Sequence, residues 1–309
     1  MKTSENPLVS IIIPTYNRLP LLKETLESVF SQINHHPVEV IVVDDGSEDG
    51  TWEYLKELSN KYSFLKIFRH SQNLGVSSAR NSGLKLAKGK YVFFLASDDL
   101  LLPRSLEKLI YLSQNNSYEV YLTNSFREKR GKKKFKPFPE VENPFMRLKF
   151  FLEGAYSEGL YLVKREVALL HSFPEDLKVR EDFVIKAKWL TLHKVKIINE
   201  PLGLIRDHPH RLRYNANFYL EKSLSAVDYL FKDLPSMFHP LYPYALYLTY
   251  CELAKKAYLN KHYSLSFTYL IEAKKIYPKG VISFKFLKLW IKSFIKSKGN
   301  YIFTNLKSF

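Results

Sequence analysis

Two pairs of adjacent carboxylates, Asp44 with Asp45 and Asp98 with Asp99, each end an apolar run: "VEVIVV" leads into "DDGS", and "KYVFFLA" leads into "SDDLLLP". Neighbouring carboxylates beside buried apolar surface repel one another and resist desolvation. Such a pair needs a counter-charge, supplied by a cation, a ligand or a cluster of donors. Carboxylate oxygens are hard ligands that suit Mg²⁺ or Mn²⁺, ions that bridge one or two carboxylates and the phosphates of a substrate. Asp98 and Asp99 are candidates for that role, and Asp44 and Asp45 for accepting hydrogen bonds from a base or ribose. Tyr16 offers a ring for stacking and Arg80 a fork of donors. A third acidic pair, Glu181 and Asp182 in "LKVREDFVIKAKWL", has the chemistry of a general base. Plainer readings stand beside these. Asp44 and Asp45 before Gly46 and Ser47 also fit a turn that caps a helix, Asp98 and Asp99 fit a cap for a helix near Pro103, and Glu181 and Asp182 fit negative charge at a helix N-terminus.

Strand–helix alternation positions these groups. The run "LVSIIIP" (8–14) reads as a buried strand, followed by a helix with Leu22, Leu26, Val29 and Phe30 on one face. "VEVIVV" (38–43), "FLKIFRH" and "KYVFFLA" are further strands, separated by helices from about Trp52 to Lys61 and from Val76 to Ala87. This alternation predicts an α/β fold with parallel strands and right-handed crossovers. Ligands of such sheets bind beyond the carboxyl ends of the strands. The four strand exits are "PTYN", "DDGS", "NLGVSSARN" and "SDD", so the polar chemistry of the first hundred residues gathers on one edge. Neither G-x-G-x-x-G nor G-x-x-x-x-G-K-[ST] occurs, so the common glycine-rich phosphate cradles are excluded.

Charge divides the chain. Residues 1–100 hold 11 Lys and Arg against 12 Asp and Glu, whereas residues 101–309 hold 36 against 19. The segment 127–149 carries nine Lys or Arg and reads as an exposed hairpin, either simply solvated or facing an anionic acceptor. A helix is expected at 181–193 and a strand at 194–205. From about 216 the pattern is helical, with a tetratricopeptide-like pair at 253–278 that is too short for a repeat array. The tail "VISFKFLKLWIKSFIKSKGNYIF" spaces Lys285, Lys288, Lys292 and Lys296 helically among apolar residues. It reads as an interfacial membrane contact through 281–296 or as a helix packed on its own domain. Cys251 is the only cysteine, which excludes an intrachain disulfide. No run of about 18 apolar residues and no signal-peptide core are present, so a cytoplasmic location is expected, peripheral on the membrane if the tail lies on a bilayer.

"VSIIIPTYNR", "VEVIVVDDGSEDGT", "NLGVSSARNSGLKLAKGKYVFFLASDDLLLP" and "REDF" together resemble the family 2 glycosyltransferases of GT-A fold, over roughly residues 8–210. The resemblance implies a mostly parallel, Rossmann-like sheet flanked by helices, with a glycosyltransferase domain over 1–215 (donor half about 1–103, acceptor half about 104–215) and a helical C-terminal region over 216–309. It also implies inverting transfer from a nucleotide-sugar, leaning towards UDP, with a divalent metal, Mg²⁺ or Mn²⁺, as cofactor. The acceptor would be a glycan or lipid-linked glycan of surface polysaccharide assembly. By resemblance, Pro14, Thr15 and Tyr16 line the nucleoside pocket, Asp45 contacts the base and Arg80 supports it. Asp98 sits near ribose and metal, Asp99 is the main metal ligand, and His208 completes the metal or diphosphate site. Asp182 is the expected base, with Glu181 the alternative. Ser97 departs from the fuller D-x-D pattern. No Q-x-x-R-W motif of the processive synthases is present, which favours transfer of a single sugar. Two other classes compete. A sugar-1-phosphate nucleotidyltransferase leans on a glycine-rich N-terminal loop, which "PTYNRLP" lacks, and a basic nucleic-acid-binding protein needs a reader motif, which the chain lacks, so no nucleic-acid partner is expected.

Overall fold

The run "VSIIIPT" forms strand β1 (Val9–Thr15) and "VEVIVVD" forms β2 (Val38–Asp44), and every residue of both is buried. Burial on both faces is what a parallel strand covered by helices requires. The structure, a computed structural model, describes residues 7–33, 36–115, 117–129, 131–177, 180–207, 219–282 and 284–305. Its chain divides into two compact units, 1–209 and 210–309.

In the first unit, α1 (Leu19–Phe30), α2 (Thr51–Lys61) and α3 (Val76–Leu86) connect β1, β2, β3 (Leu65–Arg69) and β4 (Tyr91–Phe94). These strands lie in the order β3-β2-β1-β4 and are all parallel. The register sets Thr15 opposite Asp44 and Ile12 opposite Phe94, so the strand tips end on one edge. Ile11, Ile13, Val40 and Val42 share a core with Leu22, Leu26 and Leu55 from the helices. Helix α3 covers the other face, where a Cβ on Gly83 would lie 2.5 Å from Ile12 Cγ2 and 3.3 Å from Val43 Cγ2. Only a residue without a side chain lets α3 sit this close to the sheet.

After β4 come β5 (Leu100–Leu101), α4 (Ser105–Asn115), β6 (Val120–Lys129), β7 (Lys132–Lys134), α5 (Pro144–Leu152), β8 (Leu160–Lys164), α6 (Arg165–Leu170), α7 (Glu181–Leu192) and β9 (Val195–Ile205). They extend the sheet as β4-β8-β6-β9-β5, with β7 pairing β6 as a basic hairpin. Here the sheet is mixed: β8 runs antiparallel to β4 and β6, β9 runs parallel to β6, and β5 antiparallel to β9. The parallel arrangement expected from the sequence holds for the first four strands and, beyond them, for β6 with β9, whereas β8 and β5 enter the sheet antiparallel to their neighbours. The two-residue β5 is short but sets the position of the second acidic pair. Leu100 and Leu101 pair with Leu204 and Gly203, which fastens the segment just after Asp98 and Asp99 to the end of β9.

The second unit contains α8 (Tyr219–Asp233), a 3₁₀ turn (Ser236–Leu241), α9 (Tyr242–Leu259), α10 (Tyr263–Ile276) and α11 (Phe284–Asn305). Its core includes Tyr247, Ala254, Leu270, Ala273 and Phe286. Among the described residues no helix is long and apolar enough to cross a membrane.

The Gly83 contact gives a direct test of helix placement. Gly83→Ala is expected to lower stability by about 1–3 kcal/mol through overpacking against Ile12, read as a lower urea midpoint at unchanged m-value.

Candidate active site

The first two strand tips are laced into one edge. Asp45 N–H donates to Thr15 O (2.9 Å), Asn17 N–H to Ser47 Oγ (2.9 Å) and Glu48 N–H to Asn17 Oδ1 (2.8 Å). Asn17 has a left-handed φ of 48°, a conformation that asparagine tolerates better than most residues. Gly46 has φ of 81°, and a Cβ there would lie 2.9 Å from the Gln72 carbonyl carbon. Asp49 closes the lacing, accepting from Leu19 N–H (2.9 Å) and Thr51 Oγ1 (2.6 Å).

Asp44 and Asp45 are both buried, and their observed bonds are those of turns and caps. Asp44 Oδ1 accepts from Ser47 N–H (3.0 Å), and Arg69 Nε lies 3.4 Å from Asp44 Oδ2. Asp45 accepts from His70 Nδ1 (2.7 Å), Leu74 N–H (2.9 Å) and Gly75 N–H (2.8 Å). The last two donors precede α3, where a carboxylate also meets the positive end of the helix dipole. Beside them, buried Thr15 Oγ1 and Asp44 Oδ2 have no hydrogen-bond partner, Pro14 is buried, and Tyr16 is 41% exposed.

The second doublet is held from two directions, by an ion pair to Arg18 and by donors of Arg206. Asp98 and Asp99 are both buried in the turn after β4. Arg18, the residue that follows "PTYN", reaches Asp98 Oδ2 at 3.2 Å. Arg206, just past β9, donates its N–H to Asp99 Oδ1 (3.1 Å) and its Nε to the Asp98 carbonyl (2.5 Å). The rest of its guanidinium reaches α1, at Glu24 Oε2 (2.6 Å) and Leu21 O (3.1 Å). Thr25 Oγ1 lies 2.9 Å from Ser97 O and 2.8 Å from Asp99 O. Sequence patterns assign no role to Arg18 or Arg206. The available signal was position alone: Arg18 directly follows the "PTYN" exit and Arg206 directly follows β9.

As a metal site the doublet fits one class of ion. Its oxygens are hard, and among the described residues no group of three His, Cys, Asp or Glu side chains forms a closed cage. That donor set suits a Mg²⁺- or Mn²⁺-like ion completed by phosphate and water. His208, the expected third ligand, lies outside the described residues.

The third acidic pair opens α7. Glu181 Oε1 accepts from Arg80 Nη1 at 2.7 Å, and the Arg80 guanidinium lies 5.0 Å from the centre of the Phe173 ring. Arg80 thus joins α3 to the start of α7 and is committed to Glu181. Asp182 pairs with Lys186 at 2.9 Å and keeps 40% of its side chain exposed. Burial works against its ionisation, but the charges of Lys186 and Arg80 and the hydrogen bond from Lys186 prevail and hold its carboxyl down at about 2. Behind it, the Tyr161 hydroxyl is buried without a hydrogen-bond partner. Burial first, and the neighbouring Asp182 charge second, push that phenol well above its usual range.

Residues 10–164, about half of the chain, match the model for Glycosyl transferase family 2. The chain belongs to that family. It is 28% identical over 254 residues to the GalNAc(5)-diNAcBac-PP-undecaprenol beta-1,3-glucosyltransferase of Campylobacter jejuni, covering 81% of this chain and 74% of that one. Two other curated relatives are longer, and the chain spans 63% of one and 15% of the other. Among solved structures it resembles S. aureus TarS 1–349 in complex with UDP-GlcNAc (TM-score 0.62, 21% identity, 92% of this chain and 79% of that one). It also resembles the mannosyltransferase PcManGT of Pyrobaculum calidifontis in complex with GDP-Man and Mn²⁺ (TM-score 0.59, 17% identity, 95% and 86%). These likenesses give the family 2 chain the expected GT-A fold, an α/β sheet with flanking and C-terminal helices.

Two substitutions test this geometry. Arg206→Met removes the side-chain donors to the Asp98 carbonyl and to Glu24, and a loss of about 1–3 kcal/mol in chemical denaturation is expected. Lys186→Met removes a cation beside Asp182, so the Asp182 carboxyl should titrate above its value of about 2, as carboxyl-carbon NMR would show. The sign also fixes the acid behaviour. A depressed carboxyl stabilises the fold above its unfolded value of about 4, and that contribution is lost as pH falls towards 2. Lys186→Met should therefore shrink the Asp182 share of acid destabilisation.

Proposed function

We propose that this family 2 glycosyltransferase moves a single sugar, with inversion, from a nucleotide-sugar, favoured as UDP-linked, to a hydroxyl of a lipid-linked glycan in surface polysaccharide assembly. One observation carries the reading: Arg18, at the end of "PTYNR", ion-pairs with Asp98 of the acidic doublet. The nucleoside side of the edge and the diphosphate side are thereby one site. The choice of acceptor is supported by the Campylobacter relative, whose name specifies an undecaprenol diphosphate-linked substrate. The choice of UDP is supported by the TarS complex.

In this reading Pro14, Thr15 and Tyr16 receive the nucleoside. Exposed Tyr16 stacks, and the unpartnered Thr15 hydroxyl takes a ligand hydrogen bond. Asp45 contacts the base with acceptor capacity left beyond its three protein donors. Arg80 supports that region through α3, whose start Asp45 holds. Asp98 and Asp99 would hold the Mg²⁺ or Mn²⁺, with His208 as a further ligand; when bound, the ion stabilises negative charge on the departing diphosphate.

Asp182 is the base. Glu181 is engaged by Arg80, whereas Asp182 faces solvent and stays ionised throughout the working pH range. As the acceptor oxygen bonds to the anomeric carbon, Asp182 takes its proton and the bond to the diphosphate breaks on the opposite face. A carboxylate held this low is a weak base before reaction, so its proton affinity has to rise as the acceptor approaches.

Calorimetry with UDP, GDP and ADP, each with and without Mn²⁺, tests the reading. Metal-dependent binding of one diphosphate is expected. No binding of any of them, together with tight salt-sensitive binding of oligonucleotides, would overturn it. Asp99→Asn should weaken metal-dependent donor binding by about tenfold or more. Asp182→Asn should keep donor binding and lose transfer by about 10²-fold or more, and full activity would remove Asp182 from the base role.

A further inference from the structure

Helix α11 is held to its unit by one face. Phe286 is buried beside Tyr247, Trp290 meets Phe267 edge-on at 5.0 Å, and buried Ser293 hydrogen-bonds Ser266 at 2.8 Å. That packing leaves another face uncovered. Leu287, Ile291 and Ile295 are 44%, 49% and 63% exposed, and Phe294, 39% exposed, borders them with its ring packed on Phe267 at 5.4 Å. Their spacing of i, i+4, i+7 and i+8 places them on one stripe about 100° wide. Lys288, Lys292 and Lys296 run alongside it, all exposed, between the stripe and the packed face. Lys296 is held over the Tyr258 and Tyr263 rings, so Lys288 and Lys292 are the outward charges.

Four large aliphatic or aromatic side chains in one stripe are more than scattered surface residues, and the charge pattern selects what covers them. Residues 284–305 contain five lysines and no acidic residue. The same face of a second copy would set lysine against lysine. An anionic bilayer instead attracts the lysines and accepts the apolar side chains, and long lysine stems let the ammonium stay at phosphate level while the helix sinks. The helix is not long and apolar enough to cross a bilayer, so a membrane that met it would hold it in the interface plane.

We propose that α11 docks this protein on an anionic membrane surface, with Leu287, Ile291, Phe294 and Ile295 among the acyl chains and Lys288 and Lys292 at the phosphates. This inference does not rest on the donor chemistry proposed above, although it would bring the enzyme to the surface where a lipid-linked acceptor resides.

Flotation of the full chain with vesicles tests it. The protein should float with vesicles containing phosphatidylglycerol, far less with phosphatidylcholine alone, and less as salt rises. The triple variant Leu287→Ser, Ile291→Ser, Ile295→Ser should cut partitioning by at least about tenfold. Lys288→Glu with Lys292→Glu should cut it by about fivefold per charge, on anionic vesicles only. These positions are exposed, so circular dichroism and thermal unfolding should stay unchanged; Ile295→Ser alone serves if the triple variant unfolds. Two results overturn the proposal. One is equal flotation of the parent and the variants. The other is no flotation, with a dimer in sedimentation that the triple variant dissolves, which assigns the stripe to a second copy. Nucleoside diphosphate binding measured on the same samples should be unaffected, so failure here and failure of the donor site are distinguishable.

Discussion

The arrangement of this protein depends on the buried charge of Asp98 and Asp99. Adjacent carboxylates repel one another when ionised, and burial strengthens that repulsion. The turn holding them persists because donors arrive from three places distant in sequence: Arg18 from the first strand exit, Thr25 from α1, and Arg206 from the end of β9. Arg206 is the central one. It binds the backbone of the doublet with Nε, one carboxylate with its own N–H, and α1 with both terminal nitrogens. The short β5 makes this possible, since its pairing with β9 brings residue 206 to the doublet.

The same logic runs along the rest of the edge. Each motif is bonded to the next: Asn17 to Ser47, Asp45 to Gly75, Arg18 to Asp98, Asp99 to Arg206, and Arg80 to Glu181. Several carboxylates at this edge thus hold the structure together. Asp45 orders the start of α3 while remaining at a strand tip. Glu181 and Asp182, adjacent in sequence, divide the work. One is tied to an arginine that links α3 with α7, and the other stays exposed with its charge fixed by a lysine one turn along. Charge at this site is set by tethered cations, so its electrostatics are built into the fold before any ligand arrives.

The two units differ in what they leave uncovered. In the first, polar chemistry is gathered on a strand edge and both faces of the parallel strands are covered: Ile11, Ile13, Val40 and Val42 meet Leu22, Leu26 and Leu55, and Gly83 lets α3 close the other face. In the second, α11 buries Phe286 and Ser293 and exposes a lysine-bordered apolar stripe. Its residues read from sequence as either a membrane contact or a packed helix. The structure gives each alternative its own face, because a helix turning every 3.6 residues has room for both.

The sequence alone determined the strands, the helices between them and the gathering of four exits on one edge. These arise from local patterns, namely β-branched runs, helical spacing of leucines, and Asp, Gly and Asn at the ends. The motif residues were legible for the same reason. Only the tertiary structure decided how the sheet continues past β4, that Arg18 and Arg206 hold the doublet, and that Arg80 binds Glu181. Those pairings join residues 80 to more than 100 positions apart. No local pattern encodes which distant arginine meets which carboxylate, because that choice is made by strand order and register once the chain has closed on itself.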